Sequence, residues 1–214
     1  MNTTVFGAGN MGKGIGARFA AGGHSVTFVD PNPDKARQVA DQVKASARNG
    51  AVVDTSTFED VELGDVVVLA VWYGVNLDVV KQLGNRLKGK VVVDIANPLN
   101  ATYDGLSTAP DSSSAEEVAK VVPQGARLVK AFNTTFAGTL LSGQAAGQPL
   151  DVFIAGDDAG AKEVVAQLVK DGGMRPLDAG PLTRARQIEG MQLLHTLLQS
   201  SLGNTWASGL KIVG

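Results

Sequence analysis

Apolar residues recur along this chain in two alternating rhythms. Short runs rich in β-branched residues, at Val5-Phe6, Ser25 to Asp30, Asp65 to Val71, Lys90 to Ile95, Arg127 to Phe132, Leu150 to Ala155 and Arg175 to Asp178, read as strands. Between the early ones lie stretches of helical spacing. Ile15, Phe19 and Ala20 recur until Gly22-Gly23 stops the pattern, Asp34 to Arg48 carries Val39 and Val43 four apart, and Asn76 to Leu87 forms a third helix. The runs at Asp65 to Val71 and Lys90 to Ile95 are continuously Val-rich rather than alternating, the pattern of parallel strands covered on both faces. Strand and helix in turn predict an α/β fold, a doubly wound and mostly parallel sheet.

Two segments break the rhythm. From Asn97 to Ser112 there is no clear period, and a loop of that length in a compact domain is more often functional than idle, so it reads as a loop on the acceptor side of a site. It ends at Ser113-Ser114-Ala115-Glu116, the Ser-x-x-Glu spacing of a capping box that opens a helix running to Val121. The second segment, Pro181 to Leu202, sets Ile188, Met191, Leu194, Leu198 and Leu202 in one stripe, widened by Leu193 and Leu197. So broad an apolar face predicts burial against the sheet on one side and against a second copy of the chain on the other. The division expected is one α/β domain over residues 1–180, including the loop 97–112, and a C-terminal helical appendage over 181–214.

Composition narrows the classes. With 19 Lys plus Arg against 21 Asp plus Glu the formal charge is −2, which argues against a nucleic-acid partner. The absence of cysteine excludes disulfides, thiolate catalysis and Cys-based metal sites. Only two histidines, His24 and His195, make a His-rich metal site implausible, and both read as structural. The longest apolar run, Val66 to Tyr73, falls far short of the roughly 20 residues a membrane-spanning helix needs. No signal peptide is read at the N-terminus, and a cytoplasmic location is the expectation.

The chemistry enters with the 26 glycines. Gly7-Ala8-Gly9-Asn10-Met11-Gly12 has the spacing G-x-G-x-x-G after a predicted strand and before a predicted helix, the fingerprint of a Rossmann-type fold. Gly7 permits the turn, Gly9 lets a pyrophosphate approach the backbone, Gly12 lets the helix pack, and free N–H groups near Asn10 and Met11 face the anion. Asp30, about 20 residues on, stands where a carboxylate accepts hydrogen bonds from an adenosine ribose, or where it caps the following turn. A 2′-phosphate beside it would meet a repulsion on the order of 3 kcal/mol before screening, so NAD is favoured over NADP, although Lys35 could reach a phosphate. Ligands of open parallel sheets lie beyond the carboxyl ends of the strands, which directs attention to Val71-Trp72-Tyr73, Asn97-Pro98-Leu99 and Phe132-Asn133-Thr134. Trp72 and Tyr73 serve equally as packing residues in such a reading. No catalytic residue and no metal site is identified, and Arg186 with Glu189 reads as a surface ion pair. Hydride transfer between two bound rings, which needs positioning more than acid-base groups, is the chemistry implied.

Four motifs, Gly7-Ala8-Gly9-Asn10-Met11-Gly12-Lys13-Gly14, Lys130-Ala131-Phe132-Asn133-Thr134, Gly156-Asp157-Asp158 and Arg175-Pro176-Leu177-Asp178-Ala179-Gly180-Pro181-Leu182, together resemble the coenzyme F420-dependent NADP oxidoreductase family. Lys-Ala-Phe-Asn-Thr is also similar to the cytosolic reductase domain of STEAP metalloreductases. The resemblance implies a small homodimeric protein moving hydride between a nicotinamide and a small-molecule electron acceptor, F420 or a flavin. It implies further that Ala8 to Met11 hold the pyrophosphate, that Val71, Asn97 and Ala137 lie along the nicotinamide, and that Lys35 lies near the adenosine. The chain departs from the family in carrying Asp30-Pro31 for Ser-Arg, Asn133 for His and Trp72 for Pro. Two readings from other classes stand beside it: a dinucleotide-binding redox sensor without turnover, and a reductase of a small carbonyl or imine. Related enzymes that open with a similar Gly-Asn-Met-Gly loop, such as pyrroline-5-carboxylate reductases and β-hydroxyacid dehydrogenases, use a helical C-terminal substrate domain of roughly a hundred residues, whereas one helix's length follows Leu182, which sets them aside.

Overall fold

In the computed structural model, which describes residues 1–213, six strands run parallel: β1 (Asn2–Phe6), β2 (Ser25–Val29), β3 (Val53–Ser56), β4 (Val66–Leu69), β5 (Val91–Asp94) and β6 (Arg127–Lys130). Their order across the sheet is β3-β2-β1-β4-β5-β6. The chain winds outward from β1 in one direction, then returns to start β4 on the other side, which opens a crevice between the ends of β1 and β4. A pair at the far edge, β9 (Asp151–Gly156) and β10 (Arg175–Gly180), is parallel within itself and antiparallel to β6. A small hairpin, β7 (Gln144–Ala145) with β8 (Gln148–Pro149), stands apart.

The valine runs explain the layering. In β4, Val66 and Val68 face one core with Ile15 and Phe19 of α1 (Asn10–Ala21), Val39 of α2 (Pro33–Lys44), Leu140 of α5 (Ala137–Ser142) and Leu168 of α6 (Ala159–Asp171). Val67 and Leu69 face the other with Val80 of α3 (Val75–Leu83), Val118 of α4 (Ser114–Ala119) and Ala185 of α7 (Ala185–Leu197). Both faces of the strand are dry, which is why no alternation is visible in its sequence. The Rossmann-type, mostly parallel sheet expected from the pattern is therefore present. Missed were β3, an edge strand with only Val53 buried, the short α5, the two-residue strands β7 and β8, and α6, whose N-cap Asp158 accepts from the Ala161 N–H at 2.7 Å. The capping box is formed as expected: Ser113 Oγ accepts from the Glu116 N–H at 3.1 Å and donates to the Glu116 carboxylate at 2.8 Å.

The C-terminal helix corrects one expectation. Its inward face is Ala185, Ile188, Glu189, Gln192 and His195, so of the predicted stripe only Ile188 is buried. Leu194, Leu197, Leu198 and Leu202 are between 45% and 58% exposed. Periodicity located an apolar face on this helix, but polar partners inside the protein, and not the sheet alone, decide which side turns inward.

Candidate active site

The loop after β1 forms the floor. Gly7 takes φ +101°, and a Cβ there or at Gly12 would collide with backbone carbonyls, of Ala70 and of Gly7 itself. A Cβ at Gly9 meets nothing within 4 Å. The contrast separates two glycines required by packing from one that fronts open space, and Gly9, as N-cap of α1, leaves the first N–H groups of that helix without a side-chain cap. Those groups and that space fit a pyrophosphate.

Asp30 holds this floor from the side. Its Oδ2 accepts from the Ala8 N–H at 2.8 Å and from Lys35 Nζ at 3.1 Å, and its Oδ1 from the Asn32 N–H at 3.0 Å. Burial pushes its carboxyl up, but the Asn32 and Ala8 N–H groups and the Lys35 ammonium outweigh that and hold it below the usual range. Asp30 thus makes the turn contact weighed in the sequence and keeps a free lone-pair position on Oδ1. Asn32 is engaged as N-cap of α2, accepting from Asp34 and Lys35 N–H groups at 3.1 Å.

Above the floor a cavity of about 400 Å³ lies beyond the ends of β1, β4, β5 and β6. Of the residues singled out in the sequence it brings together Gly9, Asn10, Met11, Val71, Trp72, Asn97, Asn133 and Ala137. Gly7, Ala8, Gly12 and the buried Pro98 lie behind this lining, and Asp30 and Lys35 lie outside it. Tyr103, Phe136, Gln192 and Thr196 also line it and were not foreseen. Tyr103 sits on the loop after β5, which is folded around Asn100: its Oδ1 accepts from the Asp104 and Gly105 N–H groups. Across the cavity Asn97 and Asn133 bond each other twice, each at 2.9 Å. Trp206 closes the wall edge-on to Phe136, itself 4.3 Å from the ring centre of His195.

Among the described residues no carboxylate, histidine, lysine or arginine lines the cavity, and its phenols are Tyr73 and Tyr103. The Tyr73 hydroxyl donates to Glu117 at 2.9 Å, and burial together with that carboxylate pushes its pKa up to about 12. His195, whose pKa burial lowers, touches Gln192 and Ser208, and His24 bridges the N-terminus and Asp171. Among the described residues no cluster of His, Asp and Glu could hold a metal.

Behind the cavity is an ionic knot that the sequence reading did not find. Lys130 at the end of β6, out of contact with solvent, bonds Asp94 at 2.9 Å, Glu189 at 2.7 Å and the Ala96 carbonyl. Asn76 and Ser114 complete Asp94, and the Ser114 N–H donates to Glu189 at 3.0 Å. The expected Arg186–Glu189 pair is not made: Glu189 faces inward to Lys130, and Arg186 forms a bidentate pair with Glu116 at 2.6 and 2.8 Å. Spacing of i, i+3 permitted that pair, but a buried cation outcompetes an exposed one for a carboxylate.

A glycine-floored crevice at the switch point of a doubly wound sheet defines a Rossmann-type, dinucleotide-binding protein. Residues 2–98 match the family model described as NADP oxidoreductase, coenzyme F420-dependent. An F420-dependent NADP reductase of Methanothermobacter thermautotrophicus is 31% identical over 86% of this chain and 83% of its own length. A rat STEAP metalloreductase is 29% identical over 88% of this chain, which spans 36% of it. The crystal structure of a putative F420-dependent NADP reductase from an Arthrobacter species superposes with a TM-score of 0.84 at 28% identity over 99% of both chains. The chain belongs to the coenzyme F420-dependent NADP oxidoreductase family, a family of NADP-dependent oxidoreductases. Among the described residues no helix is long and apolar enough to cross a membrane.

Proposed function

We propose that this protein catalyses direct hydride transfer between a nicotinamide dinucleotide and a flat tricyclic acceptor of the flavin or deazaflavin type. The observation that carries the reading is the cavity itself, which adjoins the glycine floor and is walled by aromatic and small side chains, with no carboxylate, histidine, lysine or arginine in its lining among the described residues. A reduced nicotinamide held there would supply hydride, with both bonding electrons, to the central ring of an acceptor, and water would supply the proton that charge balance requires. The chain contributes placement: Gly9 to Met11 seat the pyrophosphate, the Asn97–Asn133 pair shapes the wall between the two rings, and the aromatic walls exclude water. Steady-state oxidation of NADH or NADPH by riboflavin, FMN, FAD and F420 tests it. Turnover above the rate in buffer removes the redox-sensor alternative, and turnover only with a carbonyl or imine would replace this reading by the other.

The dinucleotide expected to bind more tightly is NADH. Lys35, a cation in reach of a 2′-phosphate, is already held by Asp30, whose lowered pKa keeps it charged. NADH should bind about ten- to a hundredfold more tightly than NADPH, read by fluorescence titration. The relatives named as NADP reductases supply the opposite expectation, and equal or tighter NADPH binding would show that Lys35 leaves Asp30 for the phosphate.

We further propose that the exposed leucines of α7 and of the turn that follows it pair two copies of the chain about a two-fold axis. Light scattering at micromolar concentration should give twice the 22.1 kDa chain mass, and Leu194→Asp with Leu198→Asp should return it to the monomer value.

A further inference from the structure

The acceptor end of the cavity has a charge character that the dinucleotide end lacks. Every segment that walls it can be read for cations. The turn from β4 into α3 has none over residues 70–76, and the turn after β6 has none over 133–137. The loop after β5 carries Asp104 and Asp111 with no Lys or Arg, and the stretch from Gln192 to Trp206 carries only the neutral His195. Lys13 stands on α1 beside the glycine loop, at the pyrophosphate end, and Arg186 and Lys130 are taken up by carboxylates. Lys211, the next cation in the C-terminal tail, is bonded to Asp151 and the Pro149 carbonyl.

What this end offers instead is aromatic surface. Trp72, Tyr103 and Trp206 are 75%, 51% and 46% exposed, and all three border the one cavity. Exposed rings of three separate segments around a single opening form a surface for stacking a flat ring. A phosphate or polycarboxylate tail leaving such a ring would find no cation on the segments that wall this end, and Asp104 directly follows the lining Tyr103.

From this we infer that the acceptor site selects flat three-ring acceptors with uncharged substituents and discriminates against the same rings bearing anionic tails. The inference rests on the hydride-transfer reading of the cavity and names the substrate class within it. Its basis is the absence of a counter-charge together with Asp104, next to the lining Tyr103, which repels an approaching anion. Asp104 is therefore a specificity residue acting through its charge, without contact to the reacting atoms.

The test compares acceptors that share a ring and differ in tail charge, riboflavin with FMN, and the bare deazaflavin chromophore with F420, under saturating NADH. At low ionic strength kcat/KM should be about three- to tenfold higher for the neutral member of each pair, and the gap should close as salt screens it. Asp104→Asn keeps the oxygen that accepts from Asn100 and Thr102 and should narrow the gap without lowering kcat for riboflavin. Equal or higher kcat/KM for FMN and F420 would overturn the inference and leave the hydride reading standing. Failure of all four acceptors would overturn both.

Discussion

Lys130→Met should lower stability by about 3–5 kcal/mol, a fall in Tm on the order of 10 °C for a domain of this size. The lysine is the single cation facing two buried carboxylates, Asp94 and Glu189, at 2.9 and 2.7 Å. Removing it leaves both charges in a dry interior, where the cost of an unpaired charge exceeds the net worth of the pair. Burial already pushes the Glu189 carboxyl up against the attraction of Lys130, and loss of the cation removes the main influence that opposes that push. Lys130→Met combined with Glu189→Gln should recover part of the loss, because one uncompensated charge is gone. Urea unfolding monitored by tryptophan fluorescence reads both variants. A loss below about 1 kcal/mol for the single variant would mean that water reaches the knot.

Gly9→Val should raise the dissociation constant for NADH and NADPH by more than about a hundredfold while leaving Tm within a few degrees. Gly9 has φ −82°, a conformation open to any residue, and its Cβ would meet no protein atom within 4 Å. The new side chain is therefore tolerated by the fold and fills the space in front of the helix N-terminus. Gly12→Val is the contrasting control, since its Cβ would strike the Gly7 carbonyl and damage the fold itself. Isothermal titration together with a melting curve separates the two effects. Unchanged affinity for Gly9→Val would move the dinucleotide elsewhere.

These two residues mark the limits of what the chain discloses as a string. The glycine floor is local: its turn, its spacing and its helix lie within a dozen residues, so spacing alone identifies it. The Val-rich strands are legible because burial on both faces removes polar residues altogether. Lys130 and Glu189 lie far apart in sequence, and neither carries a mark distinguishing a buried ion from a surface one until β6 and α7 are brought together. Tyr103 was hidden in an aperiodic loop, and Gln192 and Thr196 on a helix whose leucines drew attention to the opposite face. The N-cap of α6 sat in plain view at Asp158, but the helix behind it was not read.

The proposed chemistry is direct hydride transfer between two rings that the chain holds in contact. Its most direct test is single-turnover reduction of a 5-deazaflavin by dihydronicotinamide deuterated at C4, followed by stopped flow and mass spectrometry. The account predicts that the label arrives at C5 of the reduced deazaflavin without dilution by solvent, with a primary isotope effect on the transfer step. Label lost to water, or no reduction above the rate in buffer, would contradict it.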